Sequence, residues 1–392
     1  MRIGFIIYDR LDTLTGGYLY DRIVVQGLKQ LGHEVELISL ASGPYLRRLI
    51  QGFSPGIGRR LLTGRFDILI QDELCHPSLF LLNRRLRRRG GPRLVALVHH
   101  TLCDEPRRRW HNLLLSLAER RFLSSVDGFI YNSQTTRRSV ASLLRRPRPN
   151  VVAYPAGDRF ARPLSAATIG ARAVRPGPLA LLFLGNVIPR KGLLPLLKAL
   201  ARVDRDAWRL TIVGGLHWDP GYAARAGQLA RQLGLSGGVR FAGTLQDDEL
   251  VRILTSHHLF CMPYAYEGFG IAILEAMAFG LPAIGCREGA AAETIRHGKN
   301  GFLLADGDLS GLKSILCELH QNREKLTCLA LAARATYLSS PTWRDSTAII
   351  ERFLRRMKEF HGPGKEFETT CPTATSKPGM TQGPGYFKHR RP

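Results

Sequence analysis

Short apolar runs alternate with longer stretches of helical period along most of the chain. Ile3–Tyr8, Glu34–Leu40, Phe66–Ile70 and Arg93–His99 read as strands, with shorter ones at Gly128–Tyr131 and Val151–Tyr154. Helical spacing lies between them, over Gly17–Leu31, Trp110–Leu123 and Thr135–Leu144. Largely apolar strands separated by helices predict βαβ units and a parallel sheet covered on both faces. That describes a first doubly wound domain over residues 1–165. Arg162–Pro178 breaks the rhythm with three prolines and no period, so it reads as a linker. The alternation restarts at Leu179–Leu184 and continues through Leu210–Val213, Val239–Phe241, Leu259–Met262 and Pro282–Gly285. Helices are expected at Leu193–Ala201, Tyr222–Leu233, Asp248–Ser256 and Gly270–Phe279. This second doubly wound domain spans 176–340. A last helix over 344–360 is expected to pack back on the first domain. The tail 361–392, rich in Gly, Pro, Ser and Thr, is expected to be disordered. The fold class is therefore α/β: two doubly wound domains facing an interdomain cleft.

Composition adds little to that picture and charge adds more. At 392 residues, 44% hydrophobic and 22% charged, the chain can bury a sizeable core. No stretch approaches the 18 or so apolar residues of a spanning helix. The opening apolar run is too short for a signal peptide, and the seven scattered cysteines contain no CxxC, so a reducing cytoplasm is expected. Lys+Arg number 56 against 32 Asp+Glu, a net +24. Residues 1–175 hold 29 basic and 13 acidic side chains (net +16), and the remainder 27 and 19 (net +8). The excess gathers in Arg84–Arg89, Arg107–Arg109, Arg120-Arg121, Arg137-Arg138 and Arg145-Arg146. Such a field attracts an anionic membrane surface, an anionic substrate or nucleic acid. No aromatic-interleaved basic motif points to specific nucleic-acid binding. Trp110, Leu113, Leu114, Leu117 and Phe122 fall near one face of a basic helix, a pattern suited to an anionic surface.

Ligands of open α/β sheets bind beyond the carboxyl ends of strands, so chemistry is sought there. After Leu259–Met262 the chain runs Glu267-Gly268-Phe269-Gly270-Ile271 directly into a helix that carries Glu275. The N–H groups and dipole of such a helix mouth form an anion site. Glu275 is flanked by Ile273, Leu274, Ala276 and Met277, which argues against a solvated face. Asn186, Arg190 and Lys191 follow the strand 179–184, placing two cations at a strand end. Gly16 and Gly17 follow the first strand, where the lack of a Cβ permits close approach to a ligand. The GxGxxG of dinucleotide dehydrogenases is absent. His99 and His100 end one strand; Asp72, Glu73 and His76 end another, where they could orient an acceptor hydroxyl. Asp204-Arg205-Asp206 and Asp306-Gly307-Asp308 are DxD triplets, but both sit in turns, so no metal is expected.

Taken together, Glu267-Gly-Phe-Gly-x4-Glu275-Ala-Met-Ala-x-Gly-x-Pro resembles the E-x7-E signature of retaining glycosyltransferases of family GT4, whose two Rossmann-like domains form the GT-B fold. Thr15-Gly16-Gly17, Gly32-His33-Glu34-Val35, Pro155–Phe160, Leu184–Gly192, Val213–Gly215, Val239–Gly243 and Ala290–Glu293 follow in family order, so the resemblance covers about residues 1–350.

The resemblance implies a sugar moved from a nucleoside diphosphate, UDP or GDP, to an acceptor, with no cofactor. It implies that Arg190 and Lys191 meet the phosphates and that Glu267 and the N–H groups of Gly268, Phe269, Gly270 and Ile271 meet the sugar. Glu275 would hold the ribose, the backbone near Thr244 the base, and His100 (or His99) the sugar. Asn186 stands where many members carry Arg, a role that passes to Arg190. The acceptor side would be the basic N-terminal half, suiting a lipid-linked or polysaccharide acceptor and peripheral attachment to the inner membrane face. The alternatives are a sugar phosphorylase or sugar-phosphate synthase of the same fold, and a basic nucleic-acid-binding protein.

Overall fold

The computed structural model describes residues 1–359 apart from 14, 105–108, 161–162 and 265–266. Its first sheet is built from β1 (Arg2–Tyr8), α1 (Gly16–Gln30), β2 (Glu34–Leu40), α2 (Tyr45–Gln51), α3 (Pro55–Thr63), β3 (Ile68–Asp72), α4 (His76–Arg88), β4 (Arg93–Val98), α5 (Arg109–Leu123), β5 (Gly128–Tyr131), α6 (Gln134–Leu143) and β6 (Asn150–Val152). The strands lie in the order β2-β1-β3-β4-β5-β6. All pairings are parallel, with Phe5 opposite Leu37 and Ile70. The second half comprises α7 (Ala166–Ala173), β7 (Leu179–Leu184), α8 (Leu193–Leu200), β8 (Trp208–Val213), α9 (Pro220–Gln232), β9 (Val239–Gly243), α10 (Asp247–Ser256), β10 (Leu259–Met262), α11 (Ile271–Ala278), β11 (Ala283–Cys286), β12 (Gly301–Leu304), α12 (Leu309–Gln321), α13 (Arg323–Ser339) and α14 (Trp343–Glu359). Its sheet runs β12-β11-β10-β7-β8-β9, also all parallel. Both are doubly wound sheets of the Rossmann type, and both belong to one compact unit.

The physical cause is burial on both faces. β1 is buried from Ile3 through Ile7, and β4 from Leu94 through Val98, so helices must cover each side. In the second sheet Leu181, Leu182 and Phe183 on β7 meet Leu196, Leu197 and Leu200 on α8 in one core. The order of strand addition reverses between β7 and β10, which are parallel paired neighbours (Leu259 opposite Leu181). At such a switch point the loops after the two strands diverge and leave a crevice.

The structure holds helices that the sequence expectation left out, among them α12 and α13 in the second half. The stretch 162–178 holds α7, whose N-cap Ser165 accepts from the Thr168 N–H and whose Ile169 and Ala173 are fully buried. The first half also holds α2, α3 and α4, which the apolar pattern did not single out.

Helix α14 lies against the first sheet although it follows the second in sequence. A Cβ on Gly27 of α1 would stand 2.5 Å from Thr347 Cγ2, and one on Gly128 of β5 would stand 3.1 Å from Phe353 Cζ. Glu351 of α14 lies 3.2 Å from His33 Nε2, and Lys358 lies 3.1 Å from Asp67. The tail 361–392 lies outside the described residues, as do Arg107 and Arg108 and the side chains of Arg109, Trp110 and Leu114. Of the expected surface-seeking face of α5, Leu113 and Leu117 are exposed while Phe122 is fully buried. Phe122 belongs to the core beside Leu79 and Val126, so the apolar face divides between sheet and solvent.

Candidate functional site

The carboxyl ends of β7 and β10 carry the first part of the site. Beyond β7, Gly185 leads through Asn186 to a single 3₁₀ turn, Pro189–Lys191, closed by Gly192 in the left-handed region (φ 69°). A Cβ at Gly192 would lie 2.6 Å from the Tyr264 carbonyl, so the β7 and β10 loops touch here. Asn186 Oδ1 accepts from the Gly215 N–H (3.1 Å), tying this loop to the end of β8. Asn186 therefore braces the loop through its side chain.

Lys191 Nζ donates to Glu267 Oε1, and Arg190 Nη1 lies 3.9 Å from Glu267 Oε2. Burial pushes the Glu267 carboxyl up, but the charges of Lys191, Arg190 and His100 hold it below the usual carboxylate range. Burial also lowers the Lys191 pKa, against the opposing pull of Glu267. Two cations and one ionised carboxylate thus meet where an anion would enter.

The loop after β10 reaches α11 through Gly268, Phe269 and Gly270. Gly270, at φ 89°, is the N-cap of α11 and offers no side chain, so the helix mouth at Ile271 is left uncapped by side chains. One turn into α11, Glu275 is 4% exposed, with Oε1 2.8 Å from Arg159 Nε but out of line with its N–H. Burial raises the Glu275 pKa, and Arg159 opposes it. Arg159 also pairs with Asp247 (3.1 Å) and stacks over Phe160. Its segment can lie this close because a Cβ on Gly157 would stand 2.8 Å from the Leu274 backbone.

The first sheet closes the other wall. A Cβ at Gly268 would fall 2.1 Å from the His99 carbonyl oxygen and 3.2 Å from His100 Cβ. The same Gly268 carbonyl accepts from Ser133 Oγ (2.8 Å), and His99 O accepts from Asn132 Nδ2 (2.8 Å). Glu293 reaches across to cap α6, accepting from the N–H groups of Gln134 (3.0 Å) and Thr135 (2.6 Å) and from Thr135 Oγ1 (2.5 Å). At the N-terminus of α1, Gly16 stands 3.8 Å from Ile271 and Gly17 3.3 Å from the His99 ring, in each case as the distance to an added Cβ.

The two histidines separate cleanly. His99 is buried, and its Nε2 lies 2.9 Å from Asp21 Oδ1. Burial works against a charged ring, but the Asp21 carboxylate holds the His99 pKa above its ordinary value. His100 is half-buried beside Gly268, on the cleft side. Thr244 is exposed, just past the end of β9.

The residues expected to orient an acceptor do not line an open edge. Asp72, Glu73 and His76 are 2%, 1% and 0% exposed, because β3 passes directly into a 3₁₀ turn and then α4 instead of a surface loop. Asp72 caps that turn, accepting from the Leu74 N–H. Burial and the neighbouring Asp21 charge raise its pKa. Burial lowers His76 to about 4. Glu119 of α5 is raised to about 7, by burial and then by Glu73. Among the described residues, Asp21/Asp72/His99 and Glu73/His76/Glu119 are the two groups whose ligand-type atoms lie within 4.8 Å of one another. Both are engaged internally: Asp21 on His99, and Glu119 on the N–H groups of Leu102 and Cys103. The DxD aspartates serve turns, with Asp204 accepting from Asp206 N–H and Asp308 from Gly311 N–H.

Sequence reading missed Asp21, the Glu293 cap and the Arg159–Glu275 contact. Ser133 with Thr136, an N-cap pattern in which Ser133 Oγ accepts from the Thr136 N–H, was a usable signal for the α6 end. The other pairings join residues far apart in sequence and leave no periodic trace.

Comparison with known proteins gives the family and the fold. Residues 169–336 match the family Glycosyl transferases group 1, and residues 22–158 match Glycosyltransferase Family 4. A GDP-mannose-dependent alpha-(1-6)-phosphatidylinositol monomannoside mannosyltransferase of Mycobacterium tuberculosis is 30% identical over 329 residues, 78% of this chain and 81% of the relative. A D-inositol 3-phosphate glycosyltransferase of Nocardia farcinica is 24% identical over 377 residues, 86% and 83% of the two chains. Among solved structures, a sucrose-phosphate synthase from Thermosynechococcus elongatus superposes with a TM-score of 0.77 at 17% identity, over 91% of this chain and 98% of that one. Anabaena HepE in complex with UDP-glucose gives 0.72 at 20% identity, over 92% and 100%. Two Rossmann-like sheets, a switch-point crevice carrying the E-x7-E carboxylates and a relative matched over most of its length place the chain in glycosyltransferase family 4, as a glycosyltransferase of the GT-B fold.

Proposed function

We propose that the enzyme moves a sugar from a nucleoside diphosphate, GDP or UDP, to an acceptor with retention of anomeric configuration and without a metal ion. The observation that carries this reading is the convergence of Lys191 and Arg190 on Glu267 at the β7/β10 switch point. The diphosphate would replace part of that pairing, taking Lys191 and Arg190 on its oxygens and the mouth of α11 on its charge. Leaving-group charge then develops where cations already stand, with no reorganisation needed. Glu267, held ionised by those cations, is a weak base. The departing phosphate oxygen therefore takes the acceptor proton on the face it leaves, which gives retention. Glu275 holds the ribose, and His100 approaches the sugar from the opposite wall.

The named relative that uses GDP-mannose makes GDP-mannose the first donor to try. The basic N-terminal half suits a lipid-linked or other anionic acceptor at the inner membrane face. Among the described residues no helix is long and apolar enough to cross a membrane. Thermal-shift screening of GDP, UDP and their sugars tests the donor, since a ligand at 100 times Kd adds about 2.7 kcal/mol. Inorganic phosphate serves as the competing arm. Anomeric NMR of the product tests retention. Activity lost in EDTA and restored by Mg²⁺ would overturn the metal-free reading.

A further inference from the structure

A second cluster of cations lies at the opposite end of the first sheet from the candidate site. The C-terminal ends of α4 and α5 and the segment between α6 and β6 enclose an open cavity of about 720 Å³. Arg84 and Arg87 enter it from α4, and Arg120 and Arg121 from α5. Arg145, Arg146 and Arg148 enter from the segment before β6. Phe80, Leu117 and Leu144 supply apolar lining, and among the described residues no acidic side chain lines it.

The position follows from chain direction. In a βαβ unit the helix runs antiparallel to its strand, so these helix ends lie where β4, β5 and β6 begin. The reaction site lies beyond the carboxyl ends of strands. For six-residue β4 the two levels are about 20 Å apart along the strand.

Arginines at helix C-termini ordinarily serve the last carbonyls. Three of the seven do so: Arg121 donates to Leu117 O (3.3 Å), Arg148 to Ser124 O (3.2 Å), and Arg87 to Ser125 O (3.5 Å). Arg87 also pairs with Asp127 at 3.5 Å. Arg84, Arg120, Arg145 and Arg146 have no ion pair among the described residues. Capping therefore accounts for fewer than half of the cations. Even the capping arginines crowd one another: burial, and then the Arg87 charge, lower the pKa of Arg148. Guanidinium groups from three elements around one concavity match the planar, multidentate recognition of phosphate oxygens.

We infer that this arginine-lined cavity binds a compact, multiply charged phosphate group, at a site separate from the nucleotide-sugar crevice. Exposed Leu113 and Leu117 on α5 give such a group an apolar neighbour, as a phosphorylated lipid headgroup requires. The inference does not depend on the donor or acceptor proposed above.

The test compares the full chain with the quadruple variant Arg84→Gln/Arg120→Gln/Arg145→Gln/Arg146→Gln. All four are solvent-accessible, so the fold should survive, checked by an unchanged melting temperature. GDP and UDP affinity, which the cleft determines, should be the same in both. Two probes are used at low salt: soluble pyrophosphate by calorimetry, and zwitterionic vesicles doped with phosphatidic acid by co-sedimentation. At about a fivefold factor per basic residue near an anionic surface, the variant should bind about two to three orders of magnitude more weakly. Vesicle binding that pyrophosphate displaces identifies a lipid headgroup; pyrophosphate binding alone identifies a free phosphate ligand. Should the full chain bind neither probe, or the variant bind as well as the full chain, the inference is overturned. Preference of these arginines for duplex DNA over both probes overturns it equally.

Discussion

Lys191 and Glu267 are bonded across the gap between the loops that end β7 and β10, 76 residues apart in sequence. The pair sets a cation and a carboxylate at the one place in the second sheet where strand order reverses. Neither residue is fully at rest there. Lys191 carries the cost of burial, and Glu267 offsets it.

Replacing either cation should therefore cost transition-state stabilisation. Lys191→Ala and Arg190→Ala are each expected to lose about 2–4 kcal/mol in kcat/KM, the range for a preorganised donor to developing charge. Lys191→Ala combined with Glu267→Gln should lose less than the sum of the singles, because the residues are in contact. Additive losses in steady-state kinetics would separate their roles.

Glu275→Gln should weaken nucleoside diphosphate binding more than it slows turnover. Loss of a charged hydrogen-bond acceptor costs about 1.5–3 kcal/mol, roughly ten- to hundredfold in Kd. Calorimetry with GDP and UDP reads this directly. An unchanged Kd removes Glu275 from the ribose.

Gly268→Ala tests the contact between the two walls. An added methyl would stand 2.1 Å from the His99 carbonyl oxygen, a backbone atom that cannot swing aside. The walls must part or the loop must move, and a displacement of about 1 Å at a reacting centre can cost about a hundredfold in rate. Turnover should fall that far while the protein remains folded by circular dichroism. Wild-type turnover would show that the walls need not meet.

Glu119 gives a signed pH effect on stability. Its folded pKa is raised from 4.5 to about 7. Its contribution is therefore fully present below about pH 4.5 and lost as pH rises through 7, on the order of 3 kcal/mol in all. His76, lowered to about 4, has the opposite sign: its contribution is present above about 6.5 and lost as pH falls. Because the two partly cancel, the readout is the difference between wild type and Glu119→Gln in urea unfolding from pH 4.5 to 8. That difference should shift in favour of the variant as pH rises. A pH-independent difference would show that Glu119 titrates normally.

Both sheets could be read from the sequence because their central strands, such as β1, β4, β7 and β10, are largely buried and appear as apolar runs. The clustering of Arg190 and Lys191 with Glu267 could be read because these residues follow β7 and β10, at neighbouring strand ends. Helix α7 could not, since three prolines nearby masked an eight-residue helix whose single cue is Ser165. Asp72, Glu73 and His76 looked like a cleft edge. They are instead the start of a buried turn and α4, and only packing against α5 and α2 makes that so. Asp21 with His99, and Glu293 with α6, are chosen by three-dimensional proximity over 78 and 158 residues, which no local pattern encodes.

The cap that Glu293 places on α6 makes the joint between the halves a wettable seam at that point. Its bonds join a carboxylate to helix-end donors that water serves equally well once they are exposed. Parting it trades hydrogen bonds for hydration and leaves both cores, which lie under their own sheets, sealed. Any separation of the halves at this point is thus a reversible unzipping of polar contacts, with the interior of each half undisturbed.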